Sequence, residues 1–558
     1  MICLWSFQFT SHLLAVPLIH FAKMSSRGSS SNIVCNLSQG FGDYARILLH
    51  DPRFSRVFAI YQTVVGGCRS ALRAGLYRMA IKLAVPWPAA YIWYIEKLAE
   101  RLAINIESSN YDAVYVAELD AEAIRKLDLL DHFAQNLQPA SDLRGAFALW
   151  AGRTAEWITA QHKSFEIQEN RARLGGTGSR NICILEPYFH LLVGIGSTVH
   201  LDAYIKAGIL GLRPASRTVI LHEPWLRRYA VNPCMLDYWR KYIDIVEDPA
   251  ELQALRPLRK YLALNVAGPM QVGSKTIPWG ISAAVYVQEQ WDSQMRQPLM
   301  HLTDEHRTRG VEALRSVGLP EDAWFVALHV REGKFGEHRV AEPFRDANPR
   351  TYLDAVTAIT KRGGWVVRLG DSSMSRLPTM PNVFDYANSK LKCDWMDVFL
   401  CAAARFMVGT SSGPATISRA FGVPIAMTNY LPSATLYLSI RDLFLPKLLR
   451  RRVGGSMVPF EQQMSLPLSA CVSDGMFTNL YGIEVISNTA QEIRELIEEM
   501  MDKLDGRPSN TTDDDNLQQR FKSITAEYET LPGLPGFEVQ CSIGHKFLRR
   551  HINLLPPI

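Results

Sequence analysis

The sequence lacks paired cysteines, long apolar runs and a strong charge of either sign. Its nine cysteines are scattered along 558 residues, and no two of them form a Cys-x-x-Cys pair. This spacing argues against a zinc site or a disulfide framework and favours a reducing cytosol. No stretch reaches about 18 uninterrupted apolar residues, so no membrane-spanning helix is predicted.

The net charge of +5 limits the kinds of partner that the chain can bind. It suits an anionic ligand, but it is far below the concentrated basic face that nucleic-acid binding requires, so no nucleic-acid partner is expected. Hydrophobic residues make up 47% and charged residues 21%, which is typical of a globular protein with a large core. At about 150 residues per domain, this length predicts three or four structural units.

Residues 1-174 are predicted to form a mainly helical region. Between Asp120 and Asn136, apolar residues recur at every third position and predict one buried stripe. The stripe consists of Ala121, Ile124, Leu127, Leu130 and Phe133. Further upstream a group of cations precedes a group of aromatic residues: Arg69, Arg73, Arg78 and Lys82, then Trp87, Trp93 and Tyr94. That pattern fits either an interfacial helix in peripheral contact with a membrane or a buried helical hairpin.

After a glycine-rich linker at 175-179, strand and helix patterns alternate. This alternation predicts the α/β class, with two doubly wound Rossmann-like domains that face a cleft. The first is expected at 175-300 and the second at 301-504. The remaining residues, 505-558, are expected to form a solvated linker from Asp505 to Asn516 and a C-terminal docking segment. The clearest predicted strands are 181–185, 218–221, 243–246, 324–330, 365–369, 406–408 and 424–427.

The strongest local signal is the segment from Phe406 to Thr416, which reads FMVGTSSGPAT. A buried strand runs into small residues, and Pro414 suits the first turn of a following helix. Backbone N–H groups and hydroxyls at such a helix start can bind a diphosphate. The residues expected to do so are Gly409, Thr410, Ser411, Ser412, Gly413 and Thr416. In the alternative interpretation, Ser412 merely caps the helix and the glycines form a tight turn.

Two further strand ends carry polar residues. His329, Arg331 and Lys334 follow one strand, and two cations within four residues can neutralise phosphate charge. The alternatives are a surface ion pair between Arg331 and Glu332 and a hydrogen-bonded core histidine. Asp371 follows another strand, where it could contact a base or a ribose or simply form a Gly-Asp turn. Three polar strand ends in one α/β unit predict a ligand crevice.

These segments, which read HVREGKF, WVVRLGDSS and DWMDVFLCAAARFMVGTSSGPATISRAFGVP, resemble the donor-binding half of GT-B-fold glycosyltransferases. The chain is most similar there to the α-1,6-fucosyltransferase and nodulation fucosyltransferase group and to a bacterial glycosyltransferase family. The resemblance spans about Trp324 to Asn429, and weaker similarity to the bacterial family continues through IGSTVHLDAYIKAGILG and IGHKFLRRHINLL.

The resemblance implies roles for individual residues. Arg331 would bind the donor phosphate, Ser411 and Ser412 would belong to the phosphate loop, and Asp371 would lie near the nucleoside. Asp397 matches an acidic helix position, for which a structural role is equally open. The fucosyltransferases have an HVRRTDK-like run where this chain reads HVREGK. The donor therefore stays open between GDP-fucose, another nucleotide sugar and a CMP-linked sugar.

The expected reaction is direct displacement at the anomeric carbon of a nucleotide sugar, with inversion and without a metal or a cofactor. Arg331, Lys334 and the helix start at Ser412 would stabilise the leaving diphosphate. Glu337 is the first choice for the base, and Glu342 and Asp346 come next. On the acceptor-side domain, a further set is expected to face the cleft: Gly194, Ile195, Gly196, Ser197, Thr198, His200 and Asp202.

The acceptor is expected to be a glycan, a lipid-linked molecule or a protein in surface glycan or glycoconjugate synthesis. The expected location is the cytoplasm, with contact to the inner face of the membrane left open. Two rival functions also remain. One is a nucleotide-sugar epimerase on the same scaffold, and the other is a non-catalytic helical interaction protein with a decayed transferase domain.

Overall fold

The fold is known from a computed structural model. It describes residues 73–82, 86–174, 182–185, 198–213, 216–222, 232–258, 263–264, 270–272, 275–277, 281–332, 343–431, 438–471, 473–507, 510–527 and 540–556. The linker expected at 175-179 lies outside these residues.

The N-terminal part of this structure is helical. Residues 73–82 form a short helix, and four longer helices follow: α1 (Pro88–Ile106), α2 (Ala113–Phe133), α3 (Gln138–Trp150) and α4 (Thr154–Leu174). Helix α1 begins at a proline, whose missing N–H would have no partner in a first turn. Asp112 caps α2, because its carboxylate accepts the N–H groups of Val114 and Tyr115.

The apolar stripe predicted for α2 is only partly correct. Leu127 and Leu130 are buried, but Ala121 is exposed. An α-helix has 3.6 residues per turn, so positions three apart drift steadily around its axis. The buried face therefore follows steps of three or four residues, through Val116, Leu119, Ala123, Leu127 and Leu130.

The first sheet has four parallel strands in the order β3-β2-β1-β4. Its strands and the intervening helices are β1 (Ile182–Leu185), α5 (Thr198–Ile209), β2 (Arg217–Leu221), α6 (Pro233–Trp239), β3 (Asp244–Val246), α7 (Pro249–Leu255) and β4 (Ala263–Leu264). A hairpin of β5 (Met270–Val272) and β6 (Lys275–Ile277) follows, and then helix α8 (Ile281–Ser293).

The second sheet has seven parallel strands in the order β15-β12-β11-β10-β7-β8-β9. Its elements begin with α9 (Asp304–Ser316), β7 (Phe325–His329), α10 (Leu353–Lys361), β8 (Trp365–Arg368), β9 (Val383–Phe384), α11 (Asp394–Ala403), β10 (Phe406–Gly409), α12 (Gly413–Ala420), β11 (Ile425–Tyr430) and β12 (Leu443–Pro446). Every residue of β7, β10, β11 and β12 is buried, as expected for strands covered on both faces.

The strand order of the second sheet contains a switch point. The chain starts at the central β7, moves outward to β9, and then returns to β10 on the other side of β7. In open α/β sheets, the crevice outside the carboxyl ends of the strands at such a reversal is where ligands bind. The predicted α/β class with two Rossmann-like parallel sheets is confirmed.

The C-terminal part completes the second sheet. After the antiparallel pair β13 (Leu448–Arg451) and β14 (Ile483–Ile486) come α13 (Ala490–Leu504), α14 (Thr512–Glu527), β15 (Ser542–Ile543) and α15 (His545–Arg550). Strand β15 pairs with β12 at the sheet edge. The prediction of a solvated linker through Asn516 is wrong, because the acidic run Asp513–Asp515 forms the first turn of α14. Acidic side chains are favourable at a helix N-terminus, where the macrodipole is positive.

The two sheets are packed together rather than strung along the chain. Buried residues of both sheets form one continuous apolar core. Helix α5, before β2, packs against α12, which follows β10. The side-chain amide of Asn232 donates to the carbonyl of Asp394 at 3.0 Å. Within the described residues, no helix combines the length and apolar character needed to cross a membrane.

Candidate functional site

The carboxyl ends of β7 and β10 lie side by side at the switch point, where Gly409 is paired with His329. Thr410 ties the two following loops together. Its backbone N–H donates to the carbonyl of His329 at 3.3 Å, and its hydroxyl accepts the N–H of Arg331 at 3.1 Å. Thr410 is fully buried, and its hydroxyl connects the two loops. This role differs from the ligand contact that the sequence predicts for Thr410.

The small-residue turn leads into α12. Ser412 precedes the helix in an extended conformation (φ −148°), and its side chain makes no capping hydrogen bond. The interpretation of Ser412 as a mere helix cap is therefore wrong. Ser411, Ser412 and Gly413 are partly exposed, so the start of α12 borders solvent at the switch point. Thr416 lies one turn into the helix, where its hydroxyl donates to the carbonyl of Gly413 at 2.7 Å.

Arg331 lies in the loop after β7 and is held at both ends. Its carbonyl accepts the N–H of Ala347 at 2.9 Å, and its Nη1 lies 3.2 Å from Oδ1 of Asp346. The side chains of Arg331 and Asp346 are 18% and 23% exposed, so the pair is neither sealed nor fully solvated. Arg331 thus keeps access to solvent while a carboxylate fixes its direction.

The alternative interpretation, a surface ion pair between Arg331 and Glu332, is wrong. Glu332 pairs with the buried Arg368 at 3.3 Å, and Arg368 also contacts Asp385 at 3.2 Å. The carboxylate of Glu332 further accepts the N–H of Ser375 at 2.7 Å. Glu332 therefore anchors the loop after β8 to the loop after β7. Arg331 pairs with Asp346 instead.

Arg345 is a second arginine at this edge, and the sequence interpretation missed it. Its Nη2 donates to the carbonyl of Ser411 at 2.6 Å, which bridges the segment after β7 to the small-residue turn. In the sequence it lies 14 positions after Arg331, in a stretch without a strand or helix pattern. The sequence feature that could have identified Arg345 is its position beside Asp346.

Lys447 and Asp474 were missed as well. Nζ of the buried Lys447 donates to the carbonyl of Asp346 at 2.6 Å. Burial lowers the pKa of Lys447 to about 8, although Asp346 and Asp474 act to raise it. Burial likewise raises the pKa of Asp346 against the opposing effects of Arg331, Lys447 and Arg345. In the sequence, the feature that could have identified Lys447 is its position directly after the apolar run of β12.

His329 and Asp371 lie at the ends of neighbouring strands, and each has a buried polar atom without a hydrogen-bond partner among the described residues. These atoms are Nδ1 of His329 and Oδ2 of Asp371. Burial, followed by the positive charge of Arg368, lowers the pKa of His329 to about 4, so its ring is neutral at pH 7. The other Asp371 oxygen accepts the N–H of Ser373 at 2.7 Å, which is the local turn expected as the alternative. Buried polar atoms are nearly always satisfied, so these two atoms can take partners that lie outside the described residues.

Asp397 has a structural environment. The hydroxyl of Tyr386 donates to its Oδ1 at 2.7 Å, and Lys392 forms an ion pair with it. Burial raises the pKa of Asp397. Of the two roles left open by the sequence, these contacts correspond to the structural one.

The residues expected to face the cleft from the first sheet are only partly described. Asp202 is almost fully buried, and its Oδ2 lies 2.6 Å from Nζ of Lys206, one helical turn away. Lys206 also donates to Oε1 of Gln288 at 2.9 Å. The expectation that Asp202 faces an open cleft is therefore wrong, because a buried carboxylate requires a local cation.

Several other predicted residues have no described side-chain environment. Thr198 and His200 belong to α5, but only their backbone is described. Gly194, Ile195, Gly196, Ser197, Lys334, Glu337 and Glu342 lie outside the described residues. The predictions for these residues stay predictions.

No protein-family model matches the chain, and no curated protein matches it. Among solved structures, the chain is similar to a glycosyl transferase of family 9 from Veillonella parvula (12% identity, TM-score 0.32, covering 48% of this chain and 85% of that one). It is also similar to the ADP-heptose lipopolysaccharide heptosyltransferase II of E. coli (13% identity, TM-score 0.30, covering 54% and 98%). A third similar structure is the iron-containing dodecameric glycosyltransferase TibC from enterotoxigenic E. coli (12% identity, TM-score 0.32, covering 59% and 76%).

All three of these proteins are described as sugar transferases, and none of the three as a fucosyltransferase. Likeness at this level does not establish an activity. The strand order of the two parallel sheets carries the fold assignment by itself.

Proposed function

We propose that this chain is a glycosyltransferase that moves a sugar from a nucleotide-sugar donor to an acceptor hydroxyl. One observation supports this most directly. Polar residues from the ends of β8, β7 and β10 meet at the switch point of a seven-stranded parallel sheet, where α/β proteins bind nucleotides. Two arginines and an uncapped helix start belong to the same edge.

In this proposal the donor diphosphate lies between Arg331 and the start of α12. The N–H groups of the first helical turn, the hydroxyls of Ser411 and Ser412 and the cation of Lys334 complete the binding set. Among the described residues, a Cβ at Gly409 would meet nothing closer than 3.5 Å, so their packing does not require glycine there. A ligand that approaches the backbone closely would explain why glycine occupies this position.

The nucleoside is proposed to lie toward β8. The unsatisfied atoms of His329 and Asp371 would then hydrogen-bond to the base or the ribose. A neutral imidazole suits this role, because it offers one donor and one acceptor without adding charge.

The proposed step is a direct displacement with inversion and without a metal. The acceptor oxygen forms a bond to the anomeric carbon while the bond from that carbon to the diphosphate oxygen breaks. The bonding electron pair leaves with the nucleoside diphosphate, whose growing charge Arg331 stabilises. The proton of the acceptor hydroxyl passes to a carboxylate, for which Glu337 is proposed. Asp346 is the weaker candidate, since Arg331 already occupies it.

A panel of GDP-, UDP-, CMP- and ADP-linked sugars, measured by thermal shift, tests donor binding directly. We expect one nucleotide class to raise the melting temperature clearly above the others. Incubation of the stabilising sugar nucleotide without an acceptor should leave the sugar unchanged, whereas an epimerase would convert it. If no member of the panel binds, the proposed function is wrong and the non-catalytic interpretation takes its place.

Glu337→Gln tests the base. Donor affinity should stay the same, because the substitution changes a charge but little volume, while transfer should slow by roughly 10²- to 10⁴-fold. Asp346→Asn serves as the comparison, since it should weaken donor binding through Arg331. Unaltered turnover in Glu337→Gln would remove that residue from the mechanism.

A peripheral contact with an anionic membrane is also proposed, which would favour a lipid-linked acceptor. Large apolar side chains are exposed at the start of the helical region: Leu76 (42%), Met79 (53%) and Trp87 (40%). Exposed Arg73, Arg78 and Lys82 accompany them, and residues 73–82 contain no acidic side chain. Cations beside exposed apolar and aromatic residues are typical of interfacial helices.

Sedimentation with vesicles of anionic phospholipid tests this contact. Replacing Leu76 and Met79 together with serine should reduce the bound fraction severalfold. The matched control replaces Ile104 and Val114 with serine, which are exposed apolar residues on α1 and α2. Equal binding by both double variants would contradict the proposal, and so would equal binding to zwitterionic vesicles.

A further inference from the structure

The helical N-terminal region packs against the β13–β14 pair and against segments near it in the C-terminal half of the chain. Buried residues of α1 to α3 form one apolar core with residues that come much later in the chain. The later residues include Phe344, Leu449, Val458, Phe477 and Ile483. Phe344 lies in the segment that carries Arg345 and Asp346. The helical core therefore extends to the edge of the candidate site.

The end of α1 makes directed contacts with the segment 473–480. The amide of Asn479 donates to the carbonyls of Ile106 and Ser108 at 2.6 and 3.2 Å. The carboxylate of Glu107 accepts the N–H of Gly475 at 3.0 Å. A Cβ at Gly475 would lie 2.2 Å from the carbonyl oxygen of Ile106, so only glycine allows this approach.

The other side of the same segment contacts the candidate site. Oδ2 of Asp474 accepts the N–H of Phe344 at 3.1 Å, and the ring of Phe344 packs on Phe477 with 5.8 Å between centroids. The next two residues are the ones that reach the site. Arg345 donates to the carbonyl of Ser411, and Asp346 pairs with Arg331.

We infer that the helical region is a positioning element of the nucleotide site. It fixes segment 473–480, this segment fixes 343–347, and that stretch sets Arg331 and the small-residue turn. Asn479 and Asp474 are positioning residues in this arrangement, since neither belongs to the proposed ligand contacts. The inference rests on the proposed function for its binding consequence, but the mechanical connection can be measured without any ligand.

Asn479→Ala and Tyr481→Phe form a matched pair of tests. Each removes hydrogen bonds between the helical region and the later part of the chain. Asn479 is bonded to the end of α1, whereas the hydroxyl of Tyr481 donates to the carbonyl of Leu149 at 3.1 Å. Segment 473–480, which contains Asn479, continues through Asp474 to the site. Loss of the Asn479 hydrogen bonds should therefore change the site, whereas loss of the Tyr481 hydrogen bond should not.

Two measurements on the full chain separate the outcomes. Amide hydrogen exchange at 343–347 and 409–413 should become faster in Asn479→Ala and stay unchanged in Tyr481→Phe. Titration with GDP, UDP, CMP and ADP should show about 3- to 10-fold weaker binding of the preferred nucleotide in Asn479→Ala alone. If exchange at both stretches equals that of the wild type, the inference is overturned. If the wild type binds none of the four nucleotides while exchange still differs, the proposed function fails and the mechanical connection stands.

Asp474 offers a further test of the same connection. Asp474→Ala should weaken nucleotide binding about as much as Asn479→Ala, because the N–H of Phe344 loses its acceptor. Asp474→Asn keeps an acceptor oxygen and should restore most of the affinity. Equal losses in both Asp474 variants would attribute the effect to charge near Lys447 and would contradict the positioning role.

Discussion

The two parallel sheets begin with the same strand order but place their charged pairs differently. In the smaller sheet, Asp202 and Lys206 on α5 pair with side chains that are 1% and 3% exposed. At the switch point of the larger sheet, Arg331 and Asp346 pair with side chains that are 18% and 23% exposed. The same topology therefore holds a sealed ion pair in one domain and an accessible one in the other.

The difference separates a structural pair from the pair that is proposed to bind the donor. Removing one partner of a sealed pair leaves a charge stranded away from water, which is strongly destabilising. A partly exposed arginine keeps solvent contact, so it can bind a phosphate while its carboxylate continues to orient it. Exposure, more than residue type, assigns the two pairs to different roles.

The largest expected effect is on stability. Lys206→Met should lower the free energy of unfolding by about 3–5 kcal/mol, because it removes the buried ammonium that lies 2.6 Å from the buried carboxylate of Asp202. Arg331→Met is the comparison and should cost less than about 1 kcal/mol, because Asp346 keeps access to water. Urea unfolding of both variants measures the difference. Equal losses would erase the distinction between the two pairs.

The strand ends at the two switch points allow a second comparison. Strand β1 ends in the apolar Leu185, whereas β7 ends in His329, whose pKa is lowered to about 4 by burial. When the pH falls below the ordinary pKa of 6.5, His329 binds a proton in the unfolded chain but stays neutral in the folded protein. Stability should therefore fall as the pH drops from 6.5 to 4, with His329 contributing up to about 3 kcal/mol. This part of the loss should disappear in His329→Asn, and identical pH profiles would refute it.

Nucleotide binding provides the third comparison. Arg331→Met should weaken binding of the preferred nucleoside diphosphate about 10- to 100-fold, the loss of a charge-assisted contact worth roughly 1.5–3 kcal/mol. Arg450→Met is a suitable control, because Arg450 forms an exposed pair with Glu484 on the β13–β14 pair. Calorimetry that shows wild-type affinity in Arg331→Met would reject the phosphate assignment.

The smallest expected effect concerns Asp371. Asp371→Asn should weaken the same nucleoside diphosphate about 3- to 10-fold through one altered hydrogen bond. Binding of inorganic pyrophosphate should stay unchanged, because Asp371 is proposed to contact the nucleoside. Parallel titrations of the two ligands measure this, and an equal loss for both would move Asp371 to the phosphate side.

Most of the sheet architecture could be predicted from the sequence. Strands β7, β8 and β10 are continuous apolar runs bounded by polar or small residues, and they were found within one or two positions. The start of α14 was mistaken for a linker, because a run of three acidic residues signals solvation and helix initiation equally well.

The site was only partly predictable. Arg331 and the small-residue turn follow strands directly, so the strand pattern points to them. Arg345, Lys447 and Asp474 follow no shared pattern, and only folding brings them to Asp346 or its neighbours. Asp202 was misplaced for the related reason that helix periodicity cannot say which polar residue a neighbouring helix covers.

Local sequence patterns predict the order of strands and helices and the polar residues at the ends of β7, β8 and β10. These features depend on local apolar runs and on residues adjacent along the chain. Tertiary packing, by contrast, sets the pairing of Arg331 with Asp346, the burial of Asp202 and the contact between the helical region and segment 473–480. Those outcomes join residues up to several hundred positions apart, and the packing of separate elements, which no local pattern encodes, brings them together.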